Sequence, residues 1–179
     1  DSMIHITGDI HGNVFSLKHY LKKNNVSEND VVIIVGDVGI NYYLDERDKG
    51  KKVFLSKYPC TFLFLHGNHE ERPFNIPSYY EEEWSGGTGY VQKKFSNLKF
   101  AKDGEYYNID GNDFLCIGGA YSVDKYFRLK NYLEWFPDEQ PSEEIKEQVR
   151  ENIKAHGYKA DIVLSHTCPK KHEPFDSYL

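Results

Sequence analysis

Apolar residues in the first third of this chain fall into short runs that alternate with stretches of helical spacing. Met3–Thr7 reads as a first strand. Val14, Leu17, Tyr20 and Leu21 recur close to helical spacing, which predicts a helix over Val14–Lys23. Asp30–Val35 contains Val31-Val32-Ile33-Ile34-Val35, a β-branched run of the kind found in strands covered on both faces. Asp45–Tyr58 predicts a second helix, ended by Pro59. Thr61–Leu65, Thr-Phe-Leu-Phe-Leu, predicts a third buried strand. Strand, helix, strand, helix, strand is the order of a mostly parallel sheet with helices packed on it. In open sheets of that kind ligands bind beyond the carboxyl ends of the strands.

The rest of the chain is less regular. Residues 71–90, rich in Pro, Gly and aromatics, read as a long ordered loop with one turn of helix. Glu105–Ile109 and Asp113–Gly118 flank Asp110-Gly111-Asn112, a hairpin signal. Ala120–Phe136 reads as a second loop. Ser142 is placed to cap a helix running to about His156, with Glu143 and Glu144 in its first turn and Gly157 as its stop. Asp161–Ser165 is a further buried strand, with His166 directly after it. No repeat, low-complexity tract or linker divides the chain, so 1–179 reads as one domain.

Composition narrows the field. The 179 residues suffice for one sizeable core, and 39% are hydrophobic and 15% aromatic. No apolar run approaches the roughly 20 residues a membrane helix needs, and the start carries no signal-peptide pattern. Asp1-Ser2 ahead of Met3 reads as an addition to a chain that starts at Met3. Cys60, Cys116 and Cys168 are odd in number and widely spaced, which points away from a disulfide framework and towards a reducing, cytoplasmic setting. A net charge of −6 disfavours loose nucleic-acid binding, because no basic stripe is present to displace counterions. Lysine far outnumbers arginine, a bias associated with AT-rich bacterial genomes.

Three motifs follow directly on the three predicted strands: Gly8-Asp9-Ile10-His11-Gly12, Gly36-Asp37-Val38-Gly39 and Gly67-Asn68-His69-Glu70. The i, i+2 spacing lets Asp9 and His11 converge on one ion when the chain turns sharply, and the flanking glycines permit that turn. Gly36-Asp37 alone is common turn chemistry. Asn68 offers a neutral amide oxygen where anionic charge must be limited, and His69 beside it offers a proton donor. Side by side, three such strand ends make a cluster of oxygen and nitrogen ligands suited to divalent metal ions and to phosphate-ester hydrolysis.

These motifs resemble those of the calcineurin-like metallophosphoesterases, whose pattern is Asp-x-His, Gly-Asp, Gly-Asn-His-Asp/Glu, a lone His, then Gly-His-x-His. The resemblance covers nearly the whole chain. Trp84-Ser85-Gly86-Gly87 and Gly118-Gly119-Ala120-Tyr121-Ser122-Val123-Asp124 are similar to small bacterial members. It implies an α/β fold, α+β-like in character: a four-layer sandwich of two mixed sheets flanked by helices. It implies that Asp9 and His11 bind a first metal, that Asp37 bridges two, and that Asn68 and His166 bind the second. His69 would act as general acid or orient the phosphoryl group. Two ions about 3.5–4 Å apart could share a carboxylate and a hydroxide, and the resemblance implies that such a metal-bridging hydroxide would be the group that attacks phosphorus. Oxygen and imidazole ligands without thiolate suit manganese first, with iron, zinc, cobalt or nickel also admissible.

The chain departs from that pattern in two places. The final Gly-His-x-His is absent; after His166 the one remaining imidazole is His172, in a Lys-Lys-His-Glu-Pro stretch that reads as solvated tail. The leading expectation is that a C-terminal part is missing; water or His172 filling the gap, or a metal-poor relative that binds without turnover, are the alternatives. No Arg follows the second motif as it does in protein Ser/Thr phosphatases; Gly39-Ile40-Asn41-Tyr42-Tyr43 stands there instead. Arg128, with Lys125, is the local candidate for holding phosphate. Tyr42 and Tyr43 read as core residues or as a stacking surface for a substrate ring. His5 is expected to be packed in its strand, His19 to lie on a helix surface, His156 to answer the helix dipole and Cys168 to be a small buried residue. The expected function is hydrolysis of a small phosphate mono- or diester. A binding or regulatory module with an impaired site, and a nuclease of the same superfamily, are the alternatives. Oligomeric state is left open.

Overall fold

The computed structural model describes residues 3–8, 10, 12–35, 38–65, 71–117, 122–125 and 143–165. The chain divides into two compact units, residues 1–82 with 89–101, and residues 83–88 with 102–179.

A six-stranded mixed sheet is built on the first unit, apart from residues 83–84 and 87–88 at the tips of two of its strands. Its strands are β1 (Ile4–Thr7), β2 (Val31–Ile34), β3 (Thr61–Phe64), β4 (Tyr79–Trp84), β5 (Gly87–Gln92) and β6 (Phe95–Ala101), in the order β1-β2-β3-β6-β5-β4. β1, β2, β3 and β6 run parallel, and β5 returns antiparallel to β6. The predicted first helix is a 3-10 turn at Val14–Leu17 leading into α1 (Lys18–Lys23). Val14, Leu17 and Leu21 are buried as their spacing implied, whereas Tyr20 is 43% exposed and takes up His5 with its hydroxyl. The second helix, α2 (Glu46–Ser56), is capped by the Asp45 carboxylate, which accepts from the Arg47 backbone N–H.

All four residues of β2 are buried, as a β-branched run covered on both faces demands. Alternate positions on adjacent strands make the core: Val32 and Ile34, Phe62 and Phe64, Leu98 and Phe100, packed with Val14, Leu17, Leu21 and Leu55. Period-two alternation puts each pair on one sheet face.

Residues 71–90 are not the loop expected. After a 3-10 turn at Pro73–Asn75 they form β4 and the start of β5.

Where β1 and β2 begin, Asp30 ties the strands together. It is 6% exposed and accepts from Met3 N–H at 3.0 Å, Ser27 N–H at 3.2 Å and Ser27 Oγ at 3.3 Å, with His5 Nε2 at 3.5 Å. Burial opposes ionisation, but the hydrogen bonds from Ser27 and Met3, with the His5 imidazole alongside, together hold its carboxyl below the ordinary value of 3.8. The sign follows: the unfolded chain binds the proton more readily, so this carboxylate stabilises the fold above pH 3.8. That contribution declines as pH falls through 3.8 and vanishes only below the depressed folded value. Urea titrations of wild type and Asp30→Asn should therefore differ at pH 6, by about 1–3 kcal/mol, and converge in acid. A constant difference across the range would rule out this account.

The second unit carries a four-stranded sheet of β7 (Glu105–Ile109), β8 (Asn112–Ile117), β9 (Ser122–Lys125) and β10 (Ile162–Ser165), in the order β7-β8-β10-β9. The predicted hairpin is β7–β8, turning at Asp110-Gly111, both at positive φ. β10 lies parallel to β8 and antiparallel to β9. β9 falls inside the stretch expected to be loop, so that expectation is corrected too. Asp113 and Asp161 clamp the start of β8 to that of β10: Asp113 N–H donates to Asp161 Oδ2 at 2.9 Å, and Asp161 N–H to the Asp113 carbonyl at 3.0 Å. The third described helix, α3 (Glu143–Ala155), buries Val149 and Ile153. Its Asn152 amide donates to the Gly104 carbonyl and Glu105 Oε2, both at 3.1 Å. His156, just beyond α3, stacks on Tyr106 at 3.6 Å, a contact additional to the expected dipole role.

Candidate functional site

The three parallel strands end level. Thr7 pairs with Ile34, and Ile34 with Phe64. One further step of the ladder continues past each pair: Val35 N–H donates to the Thr7 carbonyl at 2.9 Å, and Leu65 N–H to the Ile34 carbonyl at 3.0 Å. At the usual spacing of neighbouring strands, these three ends span about 10 Å. The motif residues come next in the chain.

Asp9, His11, Asp37, Asn68, His69, His166 and Arg128 all lie outside the described residues, as do His66, Cys168 and His172. Among the described residues no cluster of His, Cys, Asp and Glu is arranged to hold a metal ion. What the described residues fix is the frame around the first three motifs. Gly12, closing the first, donates its N–H to the carbonyl of Val38, in the second, at 2.9 Å. Glu71, directly after the third, donates to the Asn41 carbonyl at 3.0 Å. Both bonds link the segments on which the candidate ligands are carried. The buried side chains of Val35 and Val38, 1% and 0% exposed, anchor the second motif on either side.

Sequence reasoning missed Lys51. Its half-buried ammonium donates to the Gly39 carbonyl at 3.2 Å and rests against Gly12, where a Cβ would stand 2.7 Å from Nζ. A side chain at position 12 would push this flexible ammonium aside at little cost; what favours glycine there is its φ of +79, a conformation L side chains rarely adopt. Lys51 thus stands at the crossing of the first two motif segments. Arg47, one helical turn earlier on α2, lies over the Tyr43 ring at 3.6 Å. The signal available was the i, i+4 spacing of two cations on the helix that follows the second motif.

Asp45 grips Arg47 in a fork, Nη2 to Oδ2 at 2.7 Å and Nε to both oxygens at 3.1 Å. Hydrogen bonding to Arg47 lowers the Asp45 carboxyl below its ordinary value, and the same pair raises the guanidinium. Tyr42 and Tyr43 are not core residues: they are 58% and 44% exposed. The described cysteines, Cys60 and Cys116, are buried free thiols, and burial pushes Cys60 up to about 11. Burial raises Cys116 too. Both therefore stay protonated at neutral pH and are poor metal ligands.

The candidate donors on the bracketed segments, Asp9, His11, Asp37, Asn68 and His69, are two carboxylates, an amide and two imidazoles, without a thiol. That set fits divalent ions of intermediate hardness, and level strand ends tied to one another are the frame such a set requires.

Comparison with known proteins bears on the same segments. The profile of the calcineurin-like phosphoesterases matches residues 3–178, across both units. The serine/threonine-protein phosphatase 6 catalytic subunit of Caenorhabditis elegans is 34% identical over 100 residues, 54% of this chain and 30% of that protein. Its namesake in Drosophila melanogaster is 27% identical over 126 residues, 66% of this chain and 40% of that protein. The chain thus spans well under half the length of these relatives. No solved structure matches it significantly.

Proposed function

This chain belongs to the calcineurin-like phosphoesterase family, and on that premise we propose that it hydrolyses phosphate mono- or diesters with two divalent metal ions. The observation that carries the reading is the set of three level parallel strand ends, with the flanks of their motifs hydrogen-bonded to one another. Asp9 and His11 are the proposed ligands of one ion, Asn68 and His166 of the other, and Asp37 of both. When bound, such a pair supplies Lewis-acid polarisation of the phosphoryl group and an acidified water. Manganese is the proposed metal.

The chain's own residues do the rest. The Asp9 and Asp37 carboxylates offset the charge of the ions. His69 orients the phosphoryl group or holds a proton for the leaving oxygen. Arg128 is proposed to clamp phosphate oxygens. Lys51 and the Gly12–Val38 bond keep the first two ligand segments in register, which matters because small misplacements of catalytic groups cost large factors in rate.

The substrate is proposed to be a small ester. The names of the two relatives favour a phosphoprotein, but the arginine nearest after Gly36-Asp37 is Arg47, already engaged by Asp45. Among the described residues no helix is long and apolar enough to cross a membrane. A cytoplasmic setting is proposed on the reduced cysteines.

Chelation tests the reading. Hydrolysis of an aryl phosphate should be lost in excess chelator and return when manganese is added. Undiminished turnover in protein shown by mass spectrometry to be free of metal would overturn it. Metal-replete protein without turnover on any mono- or diester would favour the binding-module alternative.

A further inference from the structure

The segment following the second motif leaves its apolar side chains in water. Tyr42 is 58% exposed, Tyr43 44% and Leu44 57%, while Ile40 and Asn41 before them are fully buried. Leu44 also adopts φ +59, the left-handed region that a branched residue enters only at a cost in strain. Asp48, itself 3% exposed, holds that conformation by accepting the Leu44 N–H on Oδ2 at 2.5 Å. The Asp48 bond, reaching back past the Asp45 cap, also sets the start of α2, while the three side chains it leaves outside bury little.

The presented surface is ordered. Asp45 fixes Arg47, Arg47 covers one face of Tyr43 at 3.6 Å, and Tyr42 meets Tyr43 edge to face at 4.8 Å. Lys51 Nζ lies 5.7 Å from the same Tyr43 ring. Two cations therefore accompany an aromatic pair, in a chain whose net charge is −6. The base of the segment is Asn41, whose carbonyl takes the N–H of Glu71 directly after the third motif.

We propose that Tyr42 and Tyr43 form a stacking ledge for the base of a nucleoside monophosphate, making nucleotides the substrate class of this site. The assignment rests on the phosphoesterase reading. Stacking on tyrosine suits any base, because every base has a π face. Arg47, matched by Asp45, fixes the Tyr43 ring, while Lys51, whose ammonium donates to the Gly39 carbonyl, keeps its charge beside the rings for a ligand that joins a flat ring to a phosphate. A protein partner is the poorer fit: three side chains supply far less than the roughly 800 Å² per partner that a stable protein interface buries.

The test compares adenosine 5′-monophosphate with ribose 5-phosphate, which has the same scissile ester and no base. Wild type should show kcat/KM about tenfold higher for the nucleotide, expressed in KM, the size of effect one base–aromatic stack delivers. Tyr42→Ala should bring the ratio close to one, and Tyr42→Phe should keep it. Equal kcat/KM in wild type, or an unchanged ratio in both Tyr42→Ala and Tyr43→Ala, overturns the ledge while leaving the phosphoesterase reading in place. If neither ester is turned over by metal-replete protein, calorimetry judges the ledge, and the phosphoesterase reading is decided separately by the aryl-ester and diester assays. Tighter binding of the nucleotide by wild type but not by Tyr42→Ala supports it; equal affinities overturn it.

Discussion

Asp37→Asn will lower metal-dependent hydrolysis of an aryl phosphate by about a thousandfold or more, the rate equivalent of the several kcal/mol that paired ions supply to a transition state. The substitution keeps the shape of the side chain and removes its charge. In the role proposed for it Asp37 would attract both ions, so the bound metal measured by plasma mass spectrometry should fall with the rate. The fold should survive. Val35 and Val38 remain buried on either side, and the backbone bonds Val35 to Thr7 and Gly12 to Val38 do not involve the side chain of residue 37. A variant that keeps wild-type metal content and turnover would remove Asp37 from the site.

Phe64→Ala will cost about 3–5 kcal/mol of folding stability. The Phe64 ring is fully buried, 6.0 Å from Phe62 and 5.2 Å from Phe100 in centroid separation. It sits on β3, between β2 and β6, where its strand neighbours are Ile34 and Phe100. Truncation opens a cavity among side chains already in contact, and a parallel sheet has little freedom to close over it. A loss of that size takes a large share of the 5–15 kcal/mol by which domains are ordinarily stable. In urea the midpoint should fall with the slope unchanged. Phe74→Ala, at a ring 50% exposed, is the control and should stay within about 0.5 kcal/mol. Equal effects at the two positions would contradict the packing described.

Where hydrophobic pattern and turn chemistry agreed, sequence and structure coincide. Val31–Ile34 is buried at every position, and Asp110-Gly111 turns the hairpin. The hairpin of β4 and β5 was illegible for a physical reason. β5 alternates cleanly between buried and half-buried positions, but its buried members are Gly87, Gly89 and Val91, and a glycine carries no hydrophobic signal. Gly87 is small because a Cβ there would strike the Tyr106 carbonyl and the Tyr107 ring, a close approach visible only in three dimensions. β4 places Glu81, Glu82 and Glu83 in succession on an edge strand, the reverse of an apolar period. Charge on an edge discourages further pairing, so this composition is sound for its place in the sheet.

At the candidate site, motif spacing pointed to the strand ends, and the level register of β1, β2 and β3 agrees with that reading. Lys51 was not legible, and for Tyr42 and Tyr43 the sequence offered both core packing and a stacking surface, of which their exposure excludes the first. An irregular segment has no period from which burial can be inferred, and a helix residue's contact with a loop depends on tertiary packing.

The parallel pairing of those strands has a consequence for thermodynamic coupling. Every pair that aligns the binding edge, Thr7 with Ile34 and Ile34 with Phe64, joins residues separated by a whole helix and its connections. No local segment can assemble the edge, which exists only when the first unit has folded. An ion or anion that recognises the assembled edge therefore has no counterpart site in the unfolded chain, and its binding free energy adds to stability by mass action. Occupancy and folding become one linked equilibrium, so ligand concentration sets the population of folded molecules as well as the fraction that is loaded.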